Sequence, residues 1–259
     1  MSLACVFSRA RVGLESPLVT VEVHLANGLP AFHIVGLPET SVKESKDRVR
    51  SAIINCGYEF PAKRITVNLA PADLPKEGGR FDLPIAVGIL ADSEQIPQVD
   101  LSQYEFAGEL ALSGELRAII GEIPMAMSCC ESQRTLILPR HNSEQASWVK
   151  QAKIHAIEHL SQLYPHFARQ TLLPLVTEKP VEQFSHINAL DISDVVGQPL
   201  AKRALEIAAS GNHNLLLIGP PGTGKTMLAS RLAGILPKMT EAEALEVAAI
   251  QSISKQNIN

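Results

Sequence analysis

Eight consecutive residues of this chain have the types and spacing of a phosphate-binding loop. They match the pattern G-x-x-x-x-G-K-[ST] at every position, in the order Gly219, Pro220, Pro221, Gly222, Thr223, Gly224, Lys225, Thr226. Gly222 and Gly224 permit backbone angles that turn successive N–H groups inward around an anion. Lys225 supplies a mobile positive charge for the β- and γ-phosphates, and Thr226 offers a hydroxyl to Mg²⁺. The motif therefore predicts a site for a nucleoside triphosphate, with ATP and Mg²⁺ as the expected ligands.

The elements predicted on either side of the motif would position it correctly. Residues 214–218 read NLLLI, a short continuous apolar run that is typical of a buried parallel strand. Residues 227–236 predict the body of a helix. Its first turn would lie near Lys225, so that its positive end points at the phosphates. A strand, a glycine-rich loop and a helix in this order are what phosphate binding requires.

Hydrolysis of the nucleotide needs residues that the motif does not contain. P-loop ATPases hold Mg²⁺ with an acidic residue at the end of a second apolar strand. The residues after Thr226 predict the loop helix and a second helix in TEAEALEVAAIQSI, with no apolar strand ending in Asp-Glu and no arginine finger. The sequence looks truncated within its nucleotide-binding domain. We therefore expect no catalytic residue in this chain, weak nucleotide binding and no efficient hydrolysis.

Composition and charge exclude several classes of protein. The 259 residues suggest one large domain or two ordinary ones. A net charge of −4 argues against coating nucleic acid by bulk electrostatics, although it permits a local basic face or pore. The N-terminus has no signal-peptide core, and no apolar run approaches the roughly 18 residues of a membrane span. We predict a cytoplasmic protein with no membrane contact, whose four cysteines are reduced thiols.

The chain is predicted to form two domains joined by a linker. The first domain, residues 1–170, has mixed α+β structure, and the second, residues 191–259, surrounds the phosphate loop. The linker, residues 171–190, has no clear hydrophobic periodicity. In the first domain, a turn at Asn27-Gly28 predicts a hairpin between two strands. The predicted strands are 19–25, 32–35, 65–69, 104–110, 116–120, 135–138 and 153–157, and the predicted helices are 38–56, 81–90, 123–130, 143–149 and 159–167.

Three segments of the sequence resemble a known family. Residues 195–226, VVGQPLAKRALEIAASGNHNLLLIGPPGTGKT, resemble the opening of the AAA+ module of the magnesium-chelatase-like family. Residues 21–53 and 67–91 resemble the N-terminal domain of its YifB/ComM branch. The resemblance implies a hexameric ring of identical subunits that acts as an ATP-dependent DNA branch-migration helicase in recombination and competence. It also implies that Val196, Gly197 and Gln198 lie near the adenine pocket, beside the phosphate loop.

The same resemblance implies a Lon-protease-like fold for the N-terminal domain, related to a domain of a small-subunit ribosomal protein. Lon proteases cleave peptides with a Ser–Lys dyad. Here Asp82 stands near the nucleophile position, and the lysine would fall near Ile123 or Pro124, where none is present. Acyl transfer then has no nucleophile and no base, so we predict that the domain is not a protease and serves assembly or DNA engagement.

Other functions remain open from the sequence. A chelatase-type motor that inserts Mg²⁺ into a porphyrin is one alternative, and a non-catalytic oligomerisation or DNA-docking module is another. The charges at Lys43, Lys46, Arg48 and Arg50 fit a solvated helix face or a contact with a DNA backbone. The charged loop of residues 76–80 fits an exposed loop or the lining of a central channel.

Overall fold

A computed structural model describes residues 3–176 and 190–254 of the chain. The chain divides into two units, residues 1–179 together with 245–259, and residues 180–244. Most of the predicted linker, residues 177–189, lies outside the described residues. The division of the chain into domains at 170 and 191 stays a prediction. No helix in the described ranges has the length and hydropathy of a membrane span.

The first unit is built on a mixed seven-stranded sheet with the strand order β3-β4-β2-β1-β5-β8-β9. Strand β2 pairs antiparallel with β1 and β4, whereas the β3–β4, β1–β5, β5–β8 and β8–β9 pairs are parallel. Strands β6 and β7 form a separate antiparallel pair. The strands are β1 (Ala4–Arg9), β2 (Leu18–Ala26), β3 (Ala31–Val35), β4 (Arg64–Ala70), β5 (Tyr104–Phe106), β6 (Glu109–Leu110), β7 (Leu116–Arg117), β8 (Thr135–Pro139) and β9 (Lys153–Ile157).

Six helices belong to the first unit and three to the second, within the described ranges, and α10 spans the boundary between the units at 244/245. From Leu245 onward, α10 counts with the first unit, where Ala249 joins a buried cluster with Cys129. The helices are α1 (Thr40–Lys43), α2 (Ser45–Asn55), α3 (Asp82–Asp92), α4 (Glu122–Glu131), α5 (Arg140–Ala146), α6 (Leu163–Phe167), α7 (Pro199–Ser210), α8 (Lys225–Ala229), α9 (Leu232–Ile235) and α10 (Glu241–Ser254).

The core of the first unit lies between the sheet and α3. Strand β2 alternates as predicted, with Val19, Val21 and Val23 buried against the helices. Helix α3 is buried on nearly all sides and packs on β1 and β2. Gly88 permits this close approach, because a Cβ there would stand 2.5 Å from Cγ2 of Val23. The predicted buried helix at 81–90 is therefore confirmed.

The predicted hairpin at Asn27-Gly28 is wrong. Strand β3 forms where it was predicted, but it pairs in parallel with β4, and β4 lies between β3 and β2. The connection from β2 to β3 has four residues and includes Pro30, which has no N–H to donate to a tight turn. Strand β4 bonds to a neighbour on each side, so it satisfies both rows of its backbone groups.

Two long predicted helices are interrupted. The predicted helix at 38–56 forms as α1 and α2, with Glu44 between them. The predicted helix at 227–236 forms as α8 and α9, broken at Ser230 and Arg231. Both predicted segments are largely helical, but neither forms one continuous helix.

The strand predicted at 214–218 is wrong for the described structure. These residues have no strand conformation, and Leu216 and Ile218 are 79% and 87% exposed. A parallel strand needs neighbouring strands to bond its backbone, and no described strand of the second unit lies beside it. The second unit instead has a small apolar cluster centred on Val195, Leu205 and Leu228.

Candidate phosphate-binding loop

The loop before α8 contains two glycines with the left-handed backbone angles that an anion-binding turn requires. Gly222 and Gly224 both have φ of +80°, in the left-handed region that glycine adopts without strain. Gly224 is the N-cap of α8, which begins at Lys225 as predicted and is five residues long. The residues from Gly219 to Thr223 are exposed. The loop is thus an open, glycine-bent turn on the surface of this unit.

Lys225 folds back over the loop instead of extending into solvent. Its Nζ donates hydrogen bonds to the carbonyl oxygens of Gly219, at 2.8 Å, and Pro220, at 2.7 Å. The hydroxyl of Thr223 donates to the Pro220 oxygen at 3.0 Å and lies 3.4 Å from the ammonium. These oxygens carry only partial charges, so a triphosphate would compete for the ammonium with full negative charges.

The second predicted segment, residues 196–198, reaches the loop through one side chain. Gln198 Nε2 donates a hydrogen bond to the Thr223 carbonyl oxygen at 3.1 Å. Val196 is 94% exposed, and a Cβ at Gly197 would meet no atom within 4 Å. The structure therefore brings Gln198 to the phosphate loop and leaves Val196 and Gly197 in open space.

The remaining loop residues present donors without a preformed metal cage. Thr226 is exposed in the first turn of α8, and its carbonyl oxygen accepts the Ser230 N–H. Among the described residues there is no group of three or more His, Cys, Asp and Glu side chains that could hold a metal ion. One hydroxyl, one ammonium and bent backbone N–H groups suit a triphosphate that brings Mg²⁺ with it. The residues present fit that pair by their chemistry.

Sequence reasoning missed Arg231, which ties α8 to the start of the second unit. Its Nε donates to the Asp191 carbonyl oxygen at 3.0 Å, and its Nη2 lies 3.7 Å from Oδ2 of Asp194. Its Nη1 donates to the Met227 carbonyl oxygen at 2.8 Å. No local pattern could reveal the contact with Asp191, because Arg231 and Asp191 are 40 residues apart.

In the first unit, the Asp82 carboxylate is fully engaged by donors. It is buried at the start of α3 and accepts hydrogen bonds from the Ser45 hydroxyl, from Arg48 Nε at 2.6 Å and from the Leu110 N–H at 3.1 Å. Burial raises the pKa of Asp82, and the Arg48 and Ser45 hydrogen bonds oppose that rise. Asp82 therefore joins α2, α3 and β6.

The other predicted positions in the first unit are packed as well. Ile123 and Pro124, near the position expected for a catalytic lysine, are buried in α4. Lys76 and Arg80 do not fit the exposed-loop alternative for residues 76–80, because both are buried, and the lining of a channel stays a prediction. Lys76 is fully buried, donates to the Pro71 carbonyl oxygen and has a pKa lowered by burial. Arg80 donates to the Ile120 oxygen at 2.6 Å, and burial lowers its pKa to about 10.

Comparison with protein-family models gives two matches. The model described as subunit ChlI of Mg-chelatase matches residues 21–142, and the model described as magnesium chelatase, subunit ChlI, matches residues 191–259. The second match contains the whole phosphate loop and the segment around Gln198. The first contains most of the sheet, α3 and Asp82.

Comparison with individual proteins gives relatives that are similar along the whole chain. Competence protein ComM of Haemophilus influenzae is 55% identical over 262 residues, which cover 100% of this chain and 52% of that protein. The YifB protein of Salmonella typhimurium is 53% identical over 255 residues, covering 98% of this chain and 50% of YifB. The chain thus spans about half the length of these relatives. An archaeal Lon protease of Archaeoglobus fulgidus is 49% identical over only 47 residues, 18% of this chain.

Proposed function

We propose, from the premise that this chain belongs to the magnesium-chelatase-like family in the branch of ComM and YifB, that its residues 219–226 bind ATP with Mg²⁺. Gly222 and Gly224 shape the loop around the phosphates, Lys225 binds the β- and γ-phosphates, and Thr226 binds Mg²⁺. One observation carries this proposal: Gly222 and Gly224 have left-handed backbone angles, and the neighbouring Lys225 ammonium is bound only by neutral oxygens.

The electrostatic setting of Lys225 supports the proposal. The nearest acceptors of its ammonium are two carbonyl oxygens and a hydroxyl, with no carboxylate among its described hydrogen-bond and ion-pair partners. A cation that is held only by neutral acceptors gains more from a phosphate than one already paired with a carboxylate. The short length of α8 makes the bent backbone and the lysine, more than a helix dipole, the source of phosphate affinity.

Titration of ATP and Mg²⁺ into the purified chain tests the proposal directly. Lys225→Ala removes the only charged group of the loop, so we expect the Kd for ATP to rise at least about 100-fold, as loss of a charge-assisted contact of roughly 3 kcal/mol implies. Lys238→Ala is the matched control, because Lys238 is an exposed lysine of the same unit. Equal ATP affinity in wild type and Lys225→Ala would contradict the proposal.

For the whole protein, we propose a hexameric ATP-dependent DNA motor that works in recombination. The relative named for competence, ComM, supports this choice over the chelatase alternative, because it matches the chain from end to end. The test is ATP hydrolysis by the intact protein with and without forked or branched DNA. We expect stimulation by such DNA and its loss in Lys225→Ala, whereas turnover that is indifferent to DNA would argue against a motor of this kind.

For the first unit, we propose a Lon-like fold in which the catalytic positions have become structural, in a cytoplasmic protein. The saturated carboxylate of Asp82 and the buried apolar residues Ile123 and Pro124 support a role in assembly or DNA engagement. Incubation of the purified protein with unfolded casein is the test, and peptide cleavage would contradict a non-proteolytic role.

A further inference from the structure

We propose that Gln198 is a positioning residue of the phosphate loop, whose side-chain amide orients the peptide between Thr223 and Gly224 toward the phosphates. This role differs from the contact with adenine that the family resemblance suggested. It rests on the proposed binding of ATP at residues 219–226 and specifies how that site is held in shape.

The geometry of a single peptide plane carries the argument. Gln198 Nε2 lies 3.1 Å from the carbonyl oxygen of Thr223. In a trans peptide the C=O and the following N–H point in opposite directions. A hydrogen bond that holds the Thr223 oxygen toward Gln198 therefore turns the Gly224 N–H to the opposite side. Gly224 is the second left-handed glycine of the loop, so its N–H is one of those that would bind a phosphate.

The Gln198 amide lies directly beside Gly224. A Cβ at Gly224 would stand 3.2 Å from Cε of Met227 and 3.4 Å from Nε2 of Gln198. The glycine thus leaves just enough room for the amide to lie against the loop. Glycine at this position serves two purposes, since it adopts φ of +80° and admits the Gln198 side chain.

The backbone of Gln198 is itself in an unfavourable conformation. Its φ is +54° and its ψ is +48°, a left-handed conformation that is unfavourable for residues other than glycine. Gln198 is the N-cap of α7, yet its side chain makes no capping hydrogen bond to that helix. Strain of this kind persists where surrounding contacts require it, and the described side-chain contact is the one with Thr223. The amide is directed to the loop and not to its own helix.

Ligands that differ in one part of the nucleotide separate the two possible roles of Gln198. A residue that orients the phosphate loop affects every ligand with a triphosphate equally, whatever its base. A residue that contacts adenine changes the preference for ATP over GTP and has no effect on inorganic triphosphate. The experiment therefore measures the Kd of ATP, GTP and inorganic triphosphate, each with Mg²⁺, on the full 259-residue chain.

The variants are Gln198→Ala, Gln198→Glu and Gln133→Ala. Loss of one hydrogen bond of about 1 kcal/mol predicts that Gln198→Ala weakens all three ligands by the same factor, about five- to tenfold. Gln198→Glu has no donor at physiological pH and should weaken them at least as much. Gln133→Ala is the matched control, because Gln133 is also an exposed glutamine with φ of +54°, and it should bind like wild type.

Three results would count against the proposal, and they can be told apart. Unchanged affinity in Gln198→Ala overturns the positioning role but not the proposed binding of ATP. The same holds if Gln198→Ala changes the ratio of ATP to GTP affinity and leaves the affinity for inorganic triphosphate unchanged. Failure of the wild-type chain to bind any of the three ligands overturns the proposed function and this inference with it. If Gln198→Ala does not fold, Gln198→Asn replaces it, since asparagine tolerates the left-handed backbone but its amide is one methylene shorter.

Discussion

The two units of the chain use charged side chains in opposite ways. In the first unit, buried Arg9 binds buried Glu105 through Nε at 2.6 Å, and Arg134 adds a second contact to Glu105 at 3.2 Å. In the second unit, Lys225 is partly exposed and its described partners are two backbone carbonyl oxygens and the Thr223 hydroxyl. A buried charge with a full set of charged partners fixes a fold, whereas an exposed charge that is held only by neutral acceptors is available to a ligand.

The two units also differ in how fully they bury their apolar residues. The first unit buries almost every side chain of α3, including Leu90, which is 0% exposed. The second unit leaves Leu216 79% exposed in a run that has the composition of a core strand. Sequence composition alone would place both leucines in a core. The difference indicates that the first unit contains its own packing partners and that the run around Leu216 does not have them among the described residues.

Removal of the Asp82 carboxylate tests whether buried, paired charges stabilise the first unit. Asp82→Ala removes the buried carboxylate that pairs with the Arg48 guanidinium and leaves the Leu110 N–H without its acceptor. We expect a loss of about 3–5 kcal/mol in the free energy of unfolding, as for other broken buried pairs. Urea unfolding followed by the fluorescence of Trp148, the single tryptophan, measures it.

Glu158→Ala is the control for the Asp82 prediction. Glu158 forms an ion pair with Arg140 at the same distance of 2.6 Å, but both side chains are more than half exposed. Such pairs contribute about 0–1 kcal/mol, so this variant should unfold almost like wild type. Equal effects of the two substitutions would mean that burial does not distinguish the two ion pairs.

A matched pair of leucine substitutions tests the apolar half of the comparison. Leu90→Ala removes buried methyl groups and leaves a cavity, so we expect it to lower the free energy of unfolding by about 2–5 kcal/mol. Leu216→Ala removes atoms that are already in contact with water, and we expect a change within about 0.5 kcal/mol. Thermal or urea unfolding of the two variants measures the difference. A large effect of Leu216→Ala would show that its run of residues is packed in solution.

Much of the first unit was predictable from the sequence because its signals are local. The strands predicted at 19–25 and 65–69 correspond to β2 and β4, and the helix predicted at 81–90 corresponds to α3. The order of the strands was not predictable, because pairing between β3 and β4 depends on contacts across some thirty residues of chain. Asn27-Gly28 resembled a hairpin turn, yet the tertiary pairing of β4 decided which strand became the neighbour of β3.

For the phosphate loop, the sequence predicted which residues take part but not how the loop is held. The residue types at Gly222 and Gly224 indicated their backbone angles, and the structure has both in the left-handed region. The contact from Gln198 to Thr223 joins residues 25 positions apart, and no periodicity encodes it. The run at 214–218 was wrongly predicted to be a buried strand. Its apolar composition shows that it could be buried, but not whether neighbouring strands are there to pair with it.

The smallest predicted effect lies at the edge of the first unit, where two histidines contact the backbone C=O and N–H of Leu173. His155 Nδ1 lies 3.0 Å from the Leu173 carbonyl oxygen, and the Leu173 N–H donates to His166 Nδ1 at 3.1 Å. The two rings are 5.0 Å apart, and the rings of Tyr104 and Phe167 also pack against His166. His166 must be neutral at Nδ1 to accept its hydrogen bond, so the contact depends on protonation.

Burial and the neighbouring His155 lower the pKa of His166 below its ordinary value of 6.5. The folded form therefore takes up its proton at lower pH than the unfolded form does. As the pH falls below about 6.5, the unfolded or opened form binds more protons, and the stability of this contact decreases; above that pH the contribution is fully present. Acidification from pH 7.5 to 5.5 should thus favour release of residues 171–176 from β9.

Hydrogen exchange of the Leu173 and Val176 amides measures this release, because the Val176 N–H donates to the Ile154 oxygen at 2.9 Å on β9. After correction for the intrinsic pH dependence of exchange, we expect a severalfold loss of protection at both amides. His166→Asn keeps an acceptor without a titrating group, so its protection should be lower throughout but independent of pH. A wild-type pH dependence that persists in His166→Asn would assign the effect to another group, whereas its absence in wild type would mean that protonation of His166 does not control this edge.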